Sequence, residues 1–394
     1  MTPASAAERR AVWLLAVGQT LGYACFFYIF AAMVVSWHDA LGWDKATLAL
    51  GPTLAILISA ALAPFVGRAV DRGHGPRLMV AGALAGAVSL AVLAGASRQG
   101  VYLLAWAGLG VAQASCLYEV CFALLIRRFG LAARSAITRV TLVAGLASTL
   151  AFPAAAALTQ ALGWQGTVRV AAAVAVLAVL PLHLIGARTL ARGPADGRLD
   201  TPGTAAGRPV LRDANFWRLA ALFSLLNLNH WMLISLMLPV FAAQGLGAGL
   251  AVAAAACVGP AQVLGRLALM RSEARLGTGL ATRLTLCAIV AASVLLALAG
   301  LAPLLAFGFA AVQGAAMGVM TILRPVLVAD GLGSQSYGAT AGMMSIPTLL
   351  SSAAAPPLGA LLLAAGGTGL MIGAALILAL AALGLALRAG PRRV

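Results

Sequence analysis

Apolar residues run for 20 or more consecutive positions many times along the chain, broken by short clusters of Arg, Gly and Pro. They do not alternate every second residue, as the strands of a membrane barrel would. A helix needs about 20 apolar residues to cross a hydrocarbon core of roughly 30 Å. The pattern predicts spans at about 11–36, 46–67, 76–96, 100–126, 137–160, 167–189, 214–242, 248–269, 279–299, 302–327, 338–364 and 367–387. The expected fold is an all-α polytopic membrane protein. It has twelve transmembrane helices in two pseudo-symmetric six-helix bundles, residues 1–190 and 214–394. The Gly/Pro/Arg-rich stretch 191–213, without apolar periodicity, reads as a cytoplasmic linker between them.

Composition narrows the class. Of 394 residues, 62% are hydrophobic and 9% charged; a soluble domain carries about 25% charged residues. The formal charge of +16 invites a nucleic-acid reading. The basic residues are instead scattered over short loops, with no basic domain, so no nucleic-acid partner is expected. The positive-inside rule accounts for them. With a cytoplasmic N-terminus, the inner loops hold nearly all the arginines and the outer loops keep only Lys45, Arg98 and Arg169. Both termini are then cytoplasmic. Trp37, Trp43 and Trp164 fall at the outer interface, and Trp13 and Trp217 at the inner one. Lys45 is the only lysine, a bias that points to a GC-rich bacterial genome and an inner-membrane location. The five cysteines lie inside apolar runs without metal or disulfide spacing, and no metal or cofactor is expected.

Two similar offsets relate the halves. Gly67-Arg68 ends the second span as Gly265-Arg266 ends the eighth, and Gln113 corresponds to Gln313. The loop after the second span reads Gly67-Arg68-Ala69-Val70-Asp71-Arg72-Gly73-His74-Gly75-Pro76-Arg77. This resembles the loop motif of the major facilitator superfamily, in the place where that family carries it; the second copy has Leu269 where the first has Asp71. The resemblance covers essentially the whole chain. It implies a secondary transporter, and a conformational latch formed by Gly67, Asp71, Arg72 and Arg77. Asp71 can accept hydrogen bonds from arginines or from the amide end of a neighbouring helix. Arg127-Arg128-Phe129-Gly130-Leu131-Ala132 is also reminiscent of bacterial monocarboxylate-porter relatives, although the first span lacks their Asp-Gly-rich opening.

Polar groups inside spans are costly and face a path or a partner helix. Glu119 is the only deep carboxylate, eight residues before Arg127, or about 12 Å from the inner edge at about 1.5 Å per residue. His230 lies about 18 Å past Arg218 by the same measure. Gln313, Met317, Thr321 and Arg324 form one helical face. Gln19, Tyr23, Asn227 and Trp231 complete the set. The family resemblance puts spans 1, 4, 7 and 10 around a central path, and these residues fall on those spans. The expected substrate contacts are therefore Gln19, Tyr23, Asn227, Trp231, Gln313 and Arg324, with Glu119 and His230 coupling protons. Other roles stay open. Gln19, Tyr23 and Asn227 could bond helices together, Trp231 could pack, Arg324 could snorkel or pair with Asp330, and Glu119 could pair with Arg139 or Arg324. His183 reads as structural.

The expected function is transport of a small organic solute, an organic anion with protons, by a monomer that alternates access. Export of an amphipathic compound or drug is the alternative. A sensor or membrane enzyme fits less well. The four histidines lie at different depths without metal spacing, and no Walker-type loop is present.

Overall fold

The computed structural model describes residues 5–192, 210–272, 276–333 and 336–387. Most of the expected linker, residues 193–209, lies outside them, as do Arg275, Arg388, Arg392 and Arg393. The described chain is helical throughout its regular structure. In order the helices are α1 (Ala6–Phe26), α2 (Ile29–Leu41), α3 (Lys45–Ala69), α4 (Gly75–Ala94), α5 (Gln99–Cys116), α6 (Tyr118–Phe129), α7 (Ala133–Ala144) and α8 (Ala147–Val174). They continue with α9 (Leu180–Arg192), α10 (Ala214–Ser235), α11 (Met237–Ala243), α12 (Ala248–Ala256), α13 (Val258–Ser272), α14 (Thr278–Ala297), α15 (Pro303–Leu332) and α16 (Tyr337–Leu387).

Polar caps set several starts. Ser5 and Glu8 form a reciprocal capping box on α1. Asp44 caps α3 through the Thr47 amide at 2.6 Å, and Asp213 caps α10 through Asn215 at 2.8 Å. Glu8 also pairs with Arg128, whose Nε reaches its carboxylate at 2.7 Å, which ties α1 to the end of α6.

Among the described residues, eight helical stretches are long and apolar enough to cross a membrane, or nine if the bent pair α10–α11 counts as one span. This corrects the expectation of twelve separate transmembrane helices in two six-helix bundles. Three of the expected loops shrink to kinks of one or two glycines outside helical φ/ψ. They are Gly73, at φ 87° in the wide turn Val70–His74, Gly163 at φ 70°, and Gly366–Gly367 within α16. Glycine adopts positive φ without a Cβ clash, so a sharp local bend replaces a loop. The long apolar stretches that contain these kinks are 46–94, 133–192 and 337–387. Conversely, some expected continuous spans are broken. The first breaks at Phe27–Tyr28, the fourth at Leu117 and the seventh at Leu236, where the bend is 60°.

The chain forms two compact units. The first comprises Met1–Thr204 with Gly333–Ile346, and the second Ala205–Leu332 with Pro347–Val394. Within the first, Trp37, Tyr102 and Trp106 are buried and pack edge to face, with ring centroids 5.8–6.3 Å apart. The Tyr102 hydroxyl donates to the Leu48 carbonyl at 2.7 Å. Trp37 is therefore a packing residue and not a member of the lipid-facing belt expected for it; Trp13 and Trp217 do stay exposed. The second unit has a core around Phe241 and Phe309, joined by Met232, Leu296 and Met371. Lipid is as apolar as these side chains, so helices associate through close packing. α13 and α15 show it. A Cβ on Gly314 would lie 2.5 Å from the Val258 carbonyl oxygen.

Candidate functional site

In the first unit, Asp71 sits in the wide turn between α3 and α4. Its two carboxylate oxygens accept from the backbone amides of Gly338 and Ala339, at 2.9 and 2.8 Å. Those amides belong to the first turn of α16, which has no intrahelical acceptor for them and whose dipole favours an anion. Of the two partners open to Asp71, the carboxylate takes the helix end. Arg127 instead donates to the backbone carbonyls of Asp71 and Val70. Gly67 is required here, because a Cβ would run into the Gly338 backbone. Arg72 and Arg77 are exposed.

Two helix breaks face each other in the same unit, and two glutamines pin them reciprocally. Gln19 of α1 donates to the carbonyl of Cys116, the last residue of α5, at 2.8 Å. Gln113 of α5 donates to the carbonyl of Phe26, the last residue of α1, at 2.9 Å. A helix end leaves carbonyls without intrahelical donors, and in hydrocarbon each orphan costs several kcal/mol. Side-chain amides supply the missing donors. Gln19 Nε2 also lies 3.2 Å from His183 Nε2. The same Nε2 donates to Cys116, so the amide orientation is fixed, and His183 Nε2 is the acceptor, with its proton on Nδ1. His183 is thus part of a network as well as of the packing.

Beyond the break at Leu117, with φ −89° and ψ −159°, α6 begins. Glu119 stands half-buried in its first turn. Tyr23 packs on Tyr118 with ring centroids 4.5 Å apart, and Tyr118 stacks on Phe122 at 4.7 Å.

The second unit holds the remaining candidates. Gln313 is fully buried and donates to Asn229 Oδ1 at 3.1 Å, with His230 Nδ1 at 3.5 Å. Asn229 donates in turn to the Ala375 carbonyl at 2.9 Å. The Trp231 ring stands 5.5 Å from His230 and stays exposed. Asn227 accepts from Ser352 at 3.1 Å while donating to the Phe223 carbonyl at 2.8 Å. Arg324 donates to Thr348 Oγ1 at 3.2 Å, and its guanidinium lies 5.7 Å from the Phe223 ring centroid. Thr348 and Ser352 are one turn apart on α16, where Ser352 bonds back to the Thr348 carbonyl at 3.0 Å.

Gln19 and Tyr23 therefore gather with Glu119's helix in one unit, and Asn227, His230, Trp231, Gln313 and Arg324 gather in the other. Asn229, Thr348 and Ser352 are the members that sequence reasoning missed. The run Asn227-Leu228-Asn229-His230 carried a signal for the first. Among the described residues, no group of His, Cys, Asp or Glu could hold a metal ion.

Long apolar helices, broken near polar side chains and packed through glycine, define a polytopic membrane carrier. The family model of the Major Facilitator Superfamily matches residues 15–346, and the chain belongs to that superfamily. It is a secondary transporter of small solutes and not an enzyme. Three solved structures share the fold. The human organic anion transporter MFSD10 (TETRAN) aligns with a TM-score of 0.74 and 16% identity, over 98% of this chain and 100% of that one. The transporter FucP, in the outward conformation, gives 0.74 and 13%, over 96% and 98%. A bacterial homologue of the iron transporter ferroportin, in an outward-facing state, gives 0.73 and 15%, over 98% and 99%. No curated protein sequence matches the chain.

Proposed function

We propose that the protein carries a small organic anion together with protons, by alternating access, as a monomer in a bacterial inner membrane with both termini cytoplasmic. The observation that carries this reading is Arg324. Its guanidinium stands in the last third of apolar α15, half-buried and oriented by Thr348 and the Phe223 ring. A planar guanidinium binds a carboxylate through two parallel bonds, which lysine cannot reproduce. The likeness to a human organic anion transporter supports the anion. The Arg127–Ala132 segment supports a place near the monocarboxylate-porter relatives. Glu119, in the first turn of α6 beside a helix break, is the proton site, and Asp71 on the α16 amides is the latch.

The test is uptake into proteoliposomes of matched organic acids and organic cations. Acids should accumulate when the outside is acidic, and Arg324→Lys should raise the half-saturating concentration about tenfold, the equivalent of about 1.4 kcal/mol. Transport of cations with no uptake of acids would replace this reading with efflux of an amphipathic compound.

A further inference from the structure

Six aromatic rings form an unbroken ladder in the first unit. Phe122 stacks on Tyr118 at 4.7 Å with an interplanar angle of 18°, and Tyr118 meets Tyr23 at 4.5 Å. Tyr23 meets Phe27 at 5.8 Å, Phe27 meets Tyr28 at 5.3 Å, and Tyr28 meets Phe152 at 6.1 Å. The ladder crosses both helix breaks that Gln19 and Gln113 pin.

This ladder is unlike the other aromatic group of the same unit. Trp37, Tyr102 and Trp106 are fully buried, and the Tyr102 hydroxyl is bonded to the Leu48 carbonyl. Along the ladder, Tyr23, Tyr28 and Tyr118 are half-buried, and Phe27 and Phe152 are 37% and 43% exposed. Lipid does not suit that surface. The Glu119 carboxylate follows Tyr118 directly and is half-buried, and an ionisable group inside a span faces the bundle interior or a hydrated path. Nor is it an interfacial belt. Tyr118 lies nine residues before Arg127 and Tyr23 thirteen after Arg10, about 13 and 20 Å from the inner edge at about 1.5 Å per residue. Tyr23 and Tyr118, deep in their spans, half-buried and beside a carboxylate, present π-faces to whatever occupies a hydrated path. A planar ring gains offset stacking there beyond its apolar area. An aliphatic group gains only the area.

We propose that the ladder around Tyr118 is a ring-binding surface, and that the solute is an aromatic organic acid. The ring part stands on the ladder; the acid part rests on the anion reading above.

The experiment is calorimetric titration of the purified full-length protein with 4-hydroxybenzoate, cyclohexanecarboxylate, lactate and benzyltrimethylammonium. The first two carry one carboxylate on a six-membered ring and differ in the flatness of that ring and in the para hydroxyl. 4-Hydroxybenzoate should bind about 2- to 10-fold more tightly than cyclohexanecarboxylate. Tyr118→Leu should erase that preference and Tyr118→Phe should keep it. Phe27→Leu, at an exposed rung, provides the same comparison should Tyr118→Leu fail to fold. Equal binding of the two acids, or a ring preference that survives Tyr118→Leu, overturns the ring surface. Lactate binding as tightly as 4-hydroxybenzoate overturns it while leaving the anion reading standing. Binding of benzyltrimethylammonium in place of the acids overturns the anion reading and leaves the ring surface. Binding of none of the four overturns both.

Discussion

Asp71→Asn should unprotect two particular amides. The amides of Gly338 and Ala339 lie in the first turn of α16, and the Asp71 carboxylate is the acceptor for both. A hydrogen bond to a charged group contributes about 1.5–3 kcal/mol, against about 0.5–1.5 for a neutral one. Asparagine keeps one acceptor oxygen but turns an NH2 group toward the other amide and removes the charge that the helix dipole favours. The loss is therefore about 2–3 kcal/mol. At about 1.4 kcal/mol per tenfold, exchange at these two positions should accelerate about 30- to 150-fold. Hydrogen–deuterium exchange read by mass spectrometry on a peptide that begins several residues before Gly338 measures this. Amides in the interior of α16 keep their intrahelical bonds and serve as the control. Acceleration below about threefold at 338 and 339, with the mutant well folded, would refute the reasoning, because a contact of this energy could not then be holding the end of α16.

Gln113→Leu leaves the Phe26 carbonyl without its side-chain donor and should lower stability by about 1–3 kcal/mol, read as a lower thermal midpoint in detergent; an unchanged midpoint would mean that another group caps α1. Gly203→Cys should be labelled by membrane-impermeant maleimide only after the cytoplasmic face is opened; labelling of intact cells from outside would reverse the topology.

What the sequence could show follows from how far apart the interacting residues are. Asp71 was legible because a single acidic residue among arginines in a Gly-rich loop has no purpose in topology alone. Glu119 was legible because one carboxylate in an apolar run stands out. The break at Leu117 was not, since neither glycine nor proline marks it. The amides that satisfy the two breaks come from 97 and 87 residues away. The span count failed for the opposite reason. Hydropathy divides the chain wherever polar or small residues gather, but at Gly73, Gly163 and Gly366–Gly367 one or two non-helical glycines join adjoining helices with no loop between them. Asn229 lies two residues beyond Asn227, on another side of α10, so a search along one face does not reach it.

Coupling of transport to protons through Glu119, as proposed above, can be tested in proteoliposomes. Burial raises a carboxyl's proton affinity and a nearby cation lowers it, so a site that is alternately hydrated and closed can load and release a proton. Glu119→Gln removes the ionisable carboxyl while keeping the shape. The reconstituted variant should lose accumulation of solute driven by a pH gradient but still exchange labelled for unlabelled solute. Full proton-driven accumulation by well-folded Glu119→Gln protein would contradict it.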